Sequence, residues 1–351
     1  MLFGTTTDRE EAFRLLDRAV SHHGVNLLDT AEMYPVPQSA GTHGLSEVIL
    51  GDWFSARVGR GRVLRREDVV VATKVTGPSG QMPWIRGGPE RLDAEAIIEA
   101  CEGSLARLGL DHVDILQLHW PDRYVPMFGE SLYRPGSRYE DRVPLEEQME
   151  ALGSLVRQGK VRRVGLSNET PWGLTRCCDL SRYGGFPRIH YLQNSYSLLC
   201  RTFDCGGLAE CCWEEGVELL AYSPLAMGLL TGKYLPPEGE GADLGGWGPP
   251  GARLNLYKGR YSEAESRYER TREVTRAVAR YGDLAGRHGM TLTELAVRFV
   301  LSNERVGCAV LGATSCSQLD ELLDYAGRGA LDSRILDEID GVHRAAPNPT
   351  P

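Results

Sequence analysis

The sequence lacks the patterns that define several large classes of protein. Its 41 glycines and 19 prolines follow no Gly-X-Y period, which excludes a collagen helix. Its nine cysteines in 351 residues are too few for a disulfide scaffold, and no Cys-X-X-Cys pair marks a thiol redox protein or a zinc knuckle. Neither Gly-X-Ser-X-Gly nor His-Glu-X-X-His occurs, so no motif supports acyl transfer at a nucleophile elbow or zinc proteolysis.

Acidic residues outnumber basic ones, and long apolar runs are scarce. The net charge is −9, so we expect no nucleic-acid partner and no attraction to acidic membranes. The longest apolar region, residues 217–230, is interrupted by Glu218 and Pro224 and cannot span a bilayer. Residues 1–8 do not resemble a signal peptide. We therefore predict a soluble cytoplasmic protein, and an organellar location would require a transit peptide upstream of Met1.

The chain does contain a nearly continuous alternation of helix-like and strand-like segments. Seven short apolar strands are predicted, centred on Leu27, Val71, Ile115, Val164, Leu192, Leu219 and Val310. Helices are predicted over residues 8–24, 45–58, 94–108, 146–157, 172–180, 208–215, 263–288, 292–302 and from about 317. The strands show no period-two alternation, which is typical of parallel strands covered by helices on both faces. Such repeats build either an open doubly wound sheet or a closed (β/α)8 barrel.

The start of the chain leaves these two architectures open. A closed barrel requires an eighth strand before the first helix, where only residues 1–4 are available. Either the sheet is open, or most of the first strand is missing. Two long connections, residues 121–144 and 233–262, follow strand C-terminal ends, where (β/α)8 enzymes carry their active sites. We see no domain boundary and predict a single domain over residues 1–351, with 345–351 as a disordered tail.

Three successive strands end in polar residues that have a joint chemical use. Asp29 ends the first strand and Tyr34 follows it, Lys74 ends the second strand, and His119 ends the third. In a parallel barrel these positions converge on one mouth, where Asp29 is the available counter-charge for a buried lysine. Reduction of a carbonyl requires a proton as well as a hydride, and a nearby lysine lowers the pKa of a tyrosine from about 10. Taken singly, each residue has a structural interpretation, as a cap, a loop aromatic, a snorkelling lysine or a core histidine.

Together these residues lie in motifs that resemble the aldo-keto reductases. The segments that resemble the family tetrad are Leu28-Asp29-Thr30-Ala31-Glu32-Met33-Tyr34, Ala72-Thr73-Lys74 and Leu118-His119-Trp120-Pro121. Segments similar to cofactor-binding segments follow in order: Gly165-Leu166-Ser167-Asn168, Gln193-Asn194, Tyr222-Ser223-Pro224-Leu225, Gly228-Leu229-Leu230-Thr231-Gly232-Lys233-Tyr234 and Leu311-Gly312-Ala313-Thr314-Ser315. Residues 31–37 and 164–170 are most similar to bacterial Tas-like members. The resemblance extends from about Phe3 to His343.

The resemblance implies an α/β fold of the (β/α)8 barrel class with a truncated first strand. It implies NADPH or NADP⁺ as the cofactor and no metal. Tyr34 would be the general acid, Lys74 would lower its pKa, Asp29 would pair with Lys74, and His119 would orient the carbonyl. Trp120 is the best candidate for a wall of the substrate site.

The resemblance also implies contacts along the whole length of the cofactor. The residues expected at the nicotinamide are Ser167, Asn168 and Gln193, which would hold its amide, and Tyr222, whose ring would stack on it. The residues expected at the phosphates are Ser223, Pro224, Leu225, Gly228, Lys233 and Arg253. The residues expected at the adenosine end are Gly312, Thr314, Gln318 and Glu321. Leu322 departs from the family pattern, which usually has Asn there, so one adenine contact is missing.

Two functions are compatible with this sequence. The complete tetrad favours an NADPH-dependent oxidoreductase that reduces aldehydes or ketones to alcohols. The alternative is an NADPH-binding regulatory or sensor subunit with little turnover. The identity of the small carbonyl substrate, which depends on residues 121–144, and the oligomeric state are left open.

Overall fold

Seven parallel strands form one sheet in the order in which they occur in the chain. The computed structural model describes residues 1–59, 61–138, 140–236 and 248–351. The strands are β1 (Leu27–Asp29), β2 (Val70–Val75), β3 (Val113–Leu118), β4 (Val161–Ser167), β5 (Ile189–Ser195), β6 (Glu218–Tyr222) and β7 (Val306–Val310). Each strand pairs in parallel with the next, so that Lys74 lies beside Gln117 and Ser167 beside Gln193. The predicted strands are confirmed in number, order and direction.

Helices alternate with these strands and surround the curved sheet. They are α1 (Arg9–Asp17), α2 (Leu45–Arg57), α3 (Ala94–Leu108), α4 (Leu145–Arg157), α5 (Pro171–Gly184), α6 (Thr202–Cys205), α7 (Leu208–Glu214), α8 (Arg253–Tyr257), α9 (Ser262–Ser266), α10 (Arg272–Arg287), α11 (Leu292–Leu301), α12 (Cys316–Gly327) and α13 (Ser333–Ala345). Shorter helical turns cover Arg18–His22, Arg66–Asp68, Ile85–Gly87, Pro135–Ser137 and Ala226–Thr231. The architecture is a nearly closed barrel of the (β/α)8 class, as predicted. No helix among the described residues is long and apolar enough to cross a membrane.

Side-chain caps explain why several helices begin where the sequence predicts. The carboxylate of Asp8 accepts from the backbone N–H of Glu11, and Asp93 likewise caps the start of α3. Thr170 and Thr291 cap α5 and α11 through their hydroxyl groups. Each such cap is worth about 1 kcal/mol because it satisfies a backbone donor that the helix itself leaves unpaired.

The barrel is open along one line, between β1 and β7. These are the two edge strands of the sheet, and within the described residues no further strand pairs with either of them. The first residues form a local bridge between Phe3 and Thr7 instead of a strand. We call the gap between β1 and β7 the seam, and it lies at the position of the strand that the sequence predicts to be truncated.

The helices close the seam on the outside of the barrel. Arg18, which follows α1, bonds Asp320 on α12 at 2.7 Å, and His23 lies 2.7 Å from the same carboxylate. Beneath these polar contacts, Leu15 of α1 packs in one apolar cluster with Leu319 of α12. Helices α1 and α12 are therefore neighbours even though the strands behind them are not paired.

The structure differs from the sequence prediction in two places near the C-terminus. The predicted helix over 263–288 is divided into α9 and α10, because Thr271 caps a new helix by accepting from Val274. The tail over 345–351, predicted as disordered, lies against the barrel: the backbone N–H of Thr350 donates to Leu199 at 3.1 Å. Arg201 and Asn348 add a bond of 2.6 Å, so specific polar contacts order this segment. Residues 237–247 of the predicted insertion lie outside the described residues.

Candidate active site

A cavity of about 1760 Å³ opens at the C-terminal ends of the strands and extends along the seam, where residues of β1, β7 and α1 line it. Of the residues proposed from the sequence for catalysis, cofactor or substrate, all but Lys74 line it: Asp29, Tyr34, His119, Trp120, Ser167, Asn168, Gln193, Tyr222, Ser223, Pro224, Leu225, Gly228, Lys233, Arg253, Gly312, Thr314, Gln318 and Glu321. The fold therefore brings residues that are up to about 290 positions apart in the chain into one site, as expected for the C-terminal face of a parallel barrel.

Lys74 lies directly beneath the cavity in a buried ion pair with Asp29. Its Nζ donates to Asp29 Oδ2 at 2.5 Å and to the carbonyl of Thr30 at 2.8 Å, and its side chain is 0% exposed. The second carboxylate oxygen of Asp29 accepts from Gln193 Nε2 at 2.8 Å and from Gln117 Nε2 at 3.4 Å. Burial lowers the pKa of Lys74, and the charge of Asp29 opposes that shift. The carboxylate is thus the group that keeps a cation at this depth.

Tyr34 and His119 face each other above this ion pair. Their rings meet edge to face with centroids 5.7 Å apart, and Lys74 Nζ lies 5.2 Å from the Tyr34 centroid. Burial, and then the negative charge of Asp29, raises the pKa of Tyr34 well above its usual range. This direction differs from the predicted lowering by Lys74, because burial disfavours the phenolate more strongly. Burial, and then Lys74, lowers the pKa of His119 well below its usual range, so the site contains a protonated phenol and a neutral imidazole.

The residues expected to hold a nicotinamide are already bonded to one another. Ser167 Oγ donates to the carbonyl of Gln193 at 2.8 Å, and Asn168 Nδ2 donates to the carbonyl of His119 at 2.8 Å. The Tyr222 hydroxyl donates to Asn168 Oδ1 at 2.7 Å. These bonds fix the side chains at one end of the cavity next to the tetrad, which is the arrangement that a preorganised binding site requires.

Two polar residues at this end were not found by sequence reasoning. Gln117 reaches Asp29 from β3, and Arg267 donates to the Tyr222 hydroxyl at 2.6 Å from the break between α9 and α10. Gln117 lies in a predicted strand two residues before His119, so its direction toward the barrel interior could have been inferred from alternation along the strand. Nothing in the sequence near Arg267 signals its contact.

The loop after β6 contains several residues in left-handed backbone conformations, which lower the stability of the fold. Ser223, Ala226 and Met227 have φ values of +56°, +46° and +53°, a region that costs non-glycine residues of order 1–3 kcal/mol each. Gly228 follows with φ +95°, and a Cβ there would lie 3.0 Å from Lys233 Nζ. The loop lines the cavity, while the backbone N–H groups of Ala226 and Gly228 donate within it to the carbonyls of Ser223 and Leu225. The segment matches the residues predicted to meet the cofactor phosphates.

Two cations, Lys233 and Arg253, lie near this loop in the lining of the cavity. Among the residues that the structure describes, neither Lys233 nor Arg253 has a carboxylate within ion-pair distance. Burial, and then the neighbouring Arg253, lowers the pKa of Lys233, which places the two positive charges close together. Arg253 contacts the ring of Tyr257, with its Cζ 5.4 Å from the centroid. Two adjacent cations in one cavity favour a ligand that carries several negative charges.

The far end of the cavity lies at the N-terminus of α12. Ser315 caps this helix, and Gln318 Oε1 accepts from the backbone N–H of Thr314 at 3.1 Å and from its hydroxyl at 3.0 Å. Glu321 accepts from Tyr325 at 2.9 Å. Leu322, at the position where the family pattern has Asn, is 4% exposed and packs against Val297 and Tyr325. In this chain that position therefore contributes to the apolar core.

Trp120 forms a fixed apolar wall beside His119. Its indole N–H donates to the carbonyl of Pro78 at 2.8 Å, and its ring meets Phe128 edge to face with centroids 6.0 Å apart. Phe128 has φ +55°, and Ser266 holds it by donating to its carbonyl at 2.7 Å. Because its only polar group is already bonded, Trp120 presents an apolar surface to the cavity.

The chain belongs to the aldo/keto reductase family, whose family model matches residues 1–344. Within the described residues, no group of three or more His, Cys, Asp or Glu side chains is arranged to hold a metal ion. The family match agrees with the fold and with the polar residues that converge from the strand ends. They indicate the same class of protein.

Individual relatives support the same family assignment and differ in their sequence identity to this chain. The chain is 38% identical to Protein tas of Escherichia coli over its full length and 94% of that relative. It is 30% identical to the uncharacterized oxidoreductase YrpG of Bacillus subtilis, over its full length and 92% of that protein. It is 25% identical to L-glyceraldehyde 3-phosphate reductase of E. coli, over 94% of the chain and 83% of that enzyme. The chain is thus a Tas-like member of a family of oxidoreductases.

Proposed function

We propose that this protein uses NADPH to reduce the carbonyl group of an aldehyde or ketone to an alcohol, with Tyr34 as the general acid. The observation that carries the proposal is the Tyr34–His119 pair above the buried Lys74–Asp29 ion pair, at one end of a cavity that Lys233 and Arg253 also line. A charged lysine at 0% exposure is costly for a fold and is retained where it serves chemistry.

The four residues have separate roles in the proposed reaction. When bound, the cofactor supplies the hydride to the carbonyl carbon. Tyr34 donates its proton to the carbonyl oxygen, and its raised pKa keeps that proton in place until negative charge develops there. Lys74 then stabilises the phenolate, and Asp29 holds Lys74 in position. His119, kept neutral by its lowered pKa, orients the carbonyl without competing for its charge.

The cavity beyond the tetrad fits an elongated polyanionic cofactor. The strained loop at 223–228 and the cations Lys233 and Arg253 would meet the phosphates, and the polar residues before and within α12 would meet the adenosine. We also propose a single catalytic domain over residues 1–351 in a cytoplasmic protein whose small-molecule partners are NADPH and a carbonyl compound. The net charge of −9 supports the exclusion of nucleic acid from the partners.

A turnover assay separates the enzyme from a cofactor-binding sensor. The purified protein is mixed with NADPH and a panel of aldehydes, and NADPH oxidation is followed at 340 nm. We expect oxidation that depends on the aldehyde and saturates with its concentration. Binding of NADPH, seen as a change in its fluorescence, without oxidation by any aldehyde would favour the sensor. Absence of both binding and oxidation would contradict the proposed function altogether.

We expect NADPH to bind more tightly than NADH, and Arg253→Ala to remove most of the difference. A charge-assisted arginine–phosphate contact contributes about 1.5–3 kcal/mol, which corresponds to roughly ten- to a hundredfold in affinity. Titration of both cofactors by fluorescence quenching measures this. Arg276→Ala, at an exposed arginine of α10, serves as the matched control. Equal affinities of the wild type for both cofactors, or an unchanged preference in Arg253→Ala, would show that Arg253 does not read the 2′-phosphate.

A further inference from the structure

Arg267 is a buried cation that bonds three separate parts of the chain. It is 6% exposed, and it lies in the break between α9 and α10. Its Nη1 donates to the Tyr222 hydroxyl at 2.6 Å and to Glu263 Oε1 at 3.1 Å, and its Nε donates to the backbone oxygen of Pro351 at 2.8 Å. A guanidinium with this many short bonds has one orientation, because it is planar and its donors point in fixed directions.

A series of hydrogen bonds leads from Arg267 to the end of the cavity that contains Tyr34 and His119. Arginine can only donate, so the Tyr222 oxygen accepts from it and the Tyr222 proton must point onward to Asn168 Oδ1, 2.7 Å away. The Asn168 oxygen is thereby turned toward Tyr222. Its Nδ2 is left to donate to the carbonyl of His119 at 2.8 Å and to Ser167 Oγ at 3.2 Å. Arg267 is therefore the first donor in a series of hydrogen bonds in which each hydroxyl and amide group has one direction that suits both of its neighbours.

The aromatic contacts of Arg267 connect this series of hydrogen bonds to the wall of the cavity. Its guanidinium carbon lies 5.8 Å from the ring centroid of Tyr222 and 5.6 Å from that of Phe128. Phe128 in turn meets Trp120, and it has the left-handed backbone that Ser266 holds in place. The cation thus contacts both the tyrosine expected beneath a nicotinamide and an aromatic wall of the cavity.

We propose that Arg267 is a positioning residue that sets the ring of Tyr222 and the carboxamide of Asn168 for the nicotinamide end of the cofactor. The inference rests on the proposed function, because it assumes that NADPH binds with its nicotinamide beside Tyr34. Arg267 does not line the cavity, whereas Tyr222 and Asn168 do. Its effect therefore reaches the cofactor through Tyr222 and Asn168.

The test compares a ligand that has a nicotinamide with one that lacks it. Affinities for NADPH and for adenosine 2′,5′-bisphosphate are measured by calorimetry on the wild type, Arg267→Met, Arg267→Lys and the surface control Arg276→Met. For Arg267→Met we expect about a tenfold loss of NADPH affinity and less than a twofold change for the bisphosphate, since one charge-assisted bond to Tyr222 is removed. Arg267→Lys keeps a donor and should lose less, and the control should bind both ligands as the wild type does.

Tyr222→Phe keeps the proposal testable if Arg267→Met does not fold. It removes only the hydroxyl that joins Arg267 to Asn168, so it should show the same selective loss, and kcat should fall with little change in the KM for the aldehyde. Melting temperatures establish that the variants are folded. An equal loss of affinity for both ligands, or no loss for either, would overturn the positioning role. Failure of the wild type to bind NADPH would instead contradict the proposed function.

Discussion

Replacing Tyr34 with Phe is expected to lower kcat for carbonyl reduction by about 10²–10⁴-fold. The substitution removes the proton that the reaction requires at the carbonyl oxygen and keeps the ring that packs against His119, 5.7 Å away. Cofactor affinity should stay within about twofold, because the hydroxyl makes no contribution to phosphate recognition. Single-turnover measurements with saturating NADPH give the chemical rate, and fluorescence titration gives the affinity.

Tyr183→Phe supplies the matched control, since Tyr183 is 79% exposed on α5 and distant from the cavity lining. It should retain the wild-type rate and affinity. If Tyr34→Phe reduced aldehydes at nearly the wild-type rate, Tyr34 would not be the acid. His119 would then be the next candidate, and its lowered pKa would require the proton to come from solvent during the reaction.

Asp29→Asn is expected to destabilise the fold by about 3–5 kcal/mol at neutral pH. The change leaves Lys74, at 0% exposure, without its counter-charge, and this is a large part of a typical free energy of unfolding of about 5–15 kcal/mol. The Asn oxygen can still accept from the two glutamines, but its NH2 group then faces Lys74 Nζ, so the substitution removes the charge together with the hydrogen bond to Lys74. Thermal melts and denaturant titrations measure it.

The loss in Asp29→Asn should diminish as pH rises. Burial already lowers the pKa of Lys74, and removal of Asp29 lowers it further. The folded variant then binds fewer protons than the unfolded chain, so its stability increases with pH between the folded pKa and the unfolded value near 10.4. Once Lys74 is neutral in both states, the missing carboxylate matters least.

Two further variants make this result interpretable. Asp29→Asn combined with Lys74→Met should cost less than the sum of the single changes, since it removes both charges. Asp17→Asn should cost less than about 1 kcal/mol, because Asp17 is 37% exposed in its pair with Arg57. A wild-type melting temperature for Asp29→Asn at neutral pH would show that Lys74 does not need this carboxylate.

The sequence predicted the strands, and the convergence of the polar residues at their ends, because both depend on local patterns. Apolar runs of five to seven residues mark buried parallel strands, and the polar residue that ends each run must lie at the C-terminal mouth. Asp29, Lys74 and His119 are all of this kind. Parallel order along the chain then requires that they meet, whatever the details of packing.

Contacts that depend on distant residues could not be predicted in this way. The amphipathic period continues through 263–288, so the break at Thr271 and the inward turn of Arg267 were not visible. The bond from Gln193 to Asp29 joins residues 164 positions apart, and no spacing rule connects them. The packed tail over 345–351 is proline-rich, and it is ordered by contacts with Leu199, Arg201 and Arg267, which are distant in the sequence.

The seam between β1 and β7 has a consequence for motion. Elsewhere in the barrel, separating two strands requires breaking a ladder of backbone hydrogen bonds, whereas the described residues form no such ladder between β1 and β7. The outer contacts are those of Arg18 and His23 with Asp320, and salt screens the partly exposed ion pair between Arg18 and Asp320. Local opening should therefore have its smallest free-energy cost along this line, and amide exchange in β1 and β7 should be the fastest of the sheet. Because β7 leads directly to Gly312 and Thr314, a ligand that contacts both these residues and the β1 side of the cavity would link the two edge strands. Such a ligand should slow local opening of the barrel and amide exchange in β1 and β7.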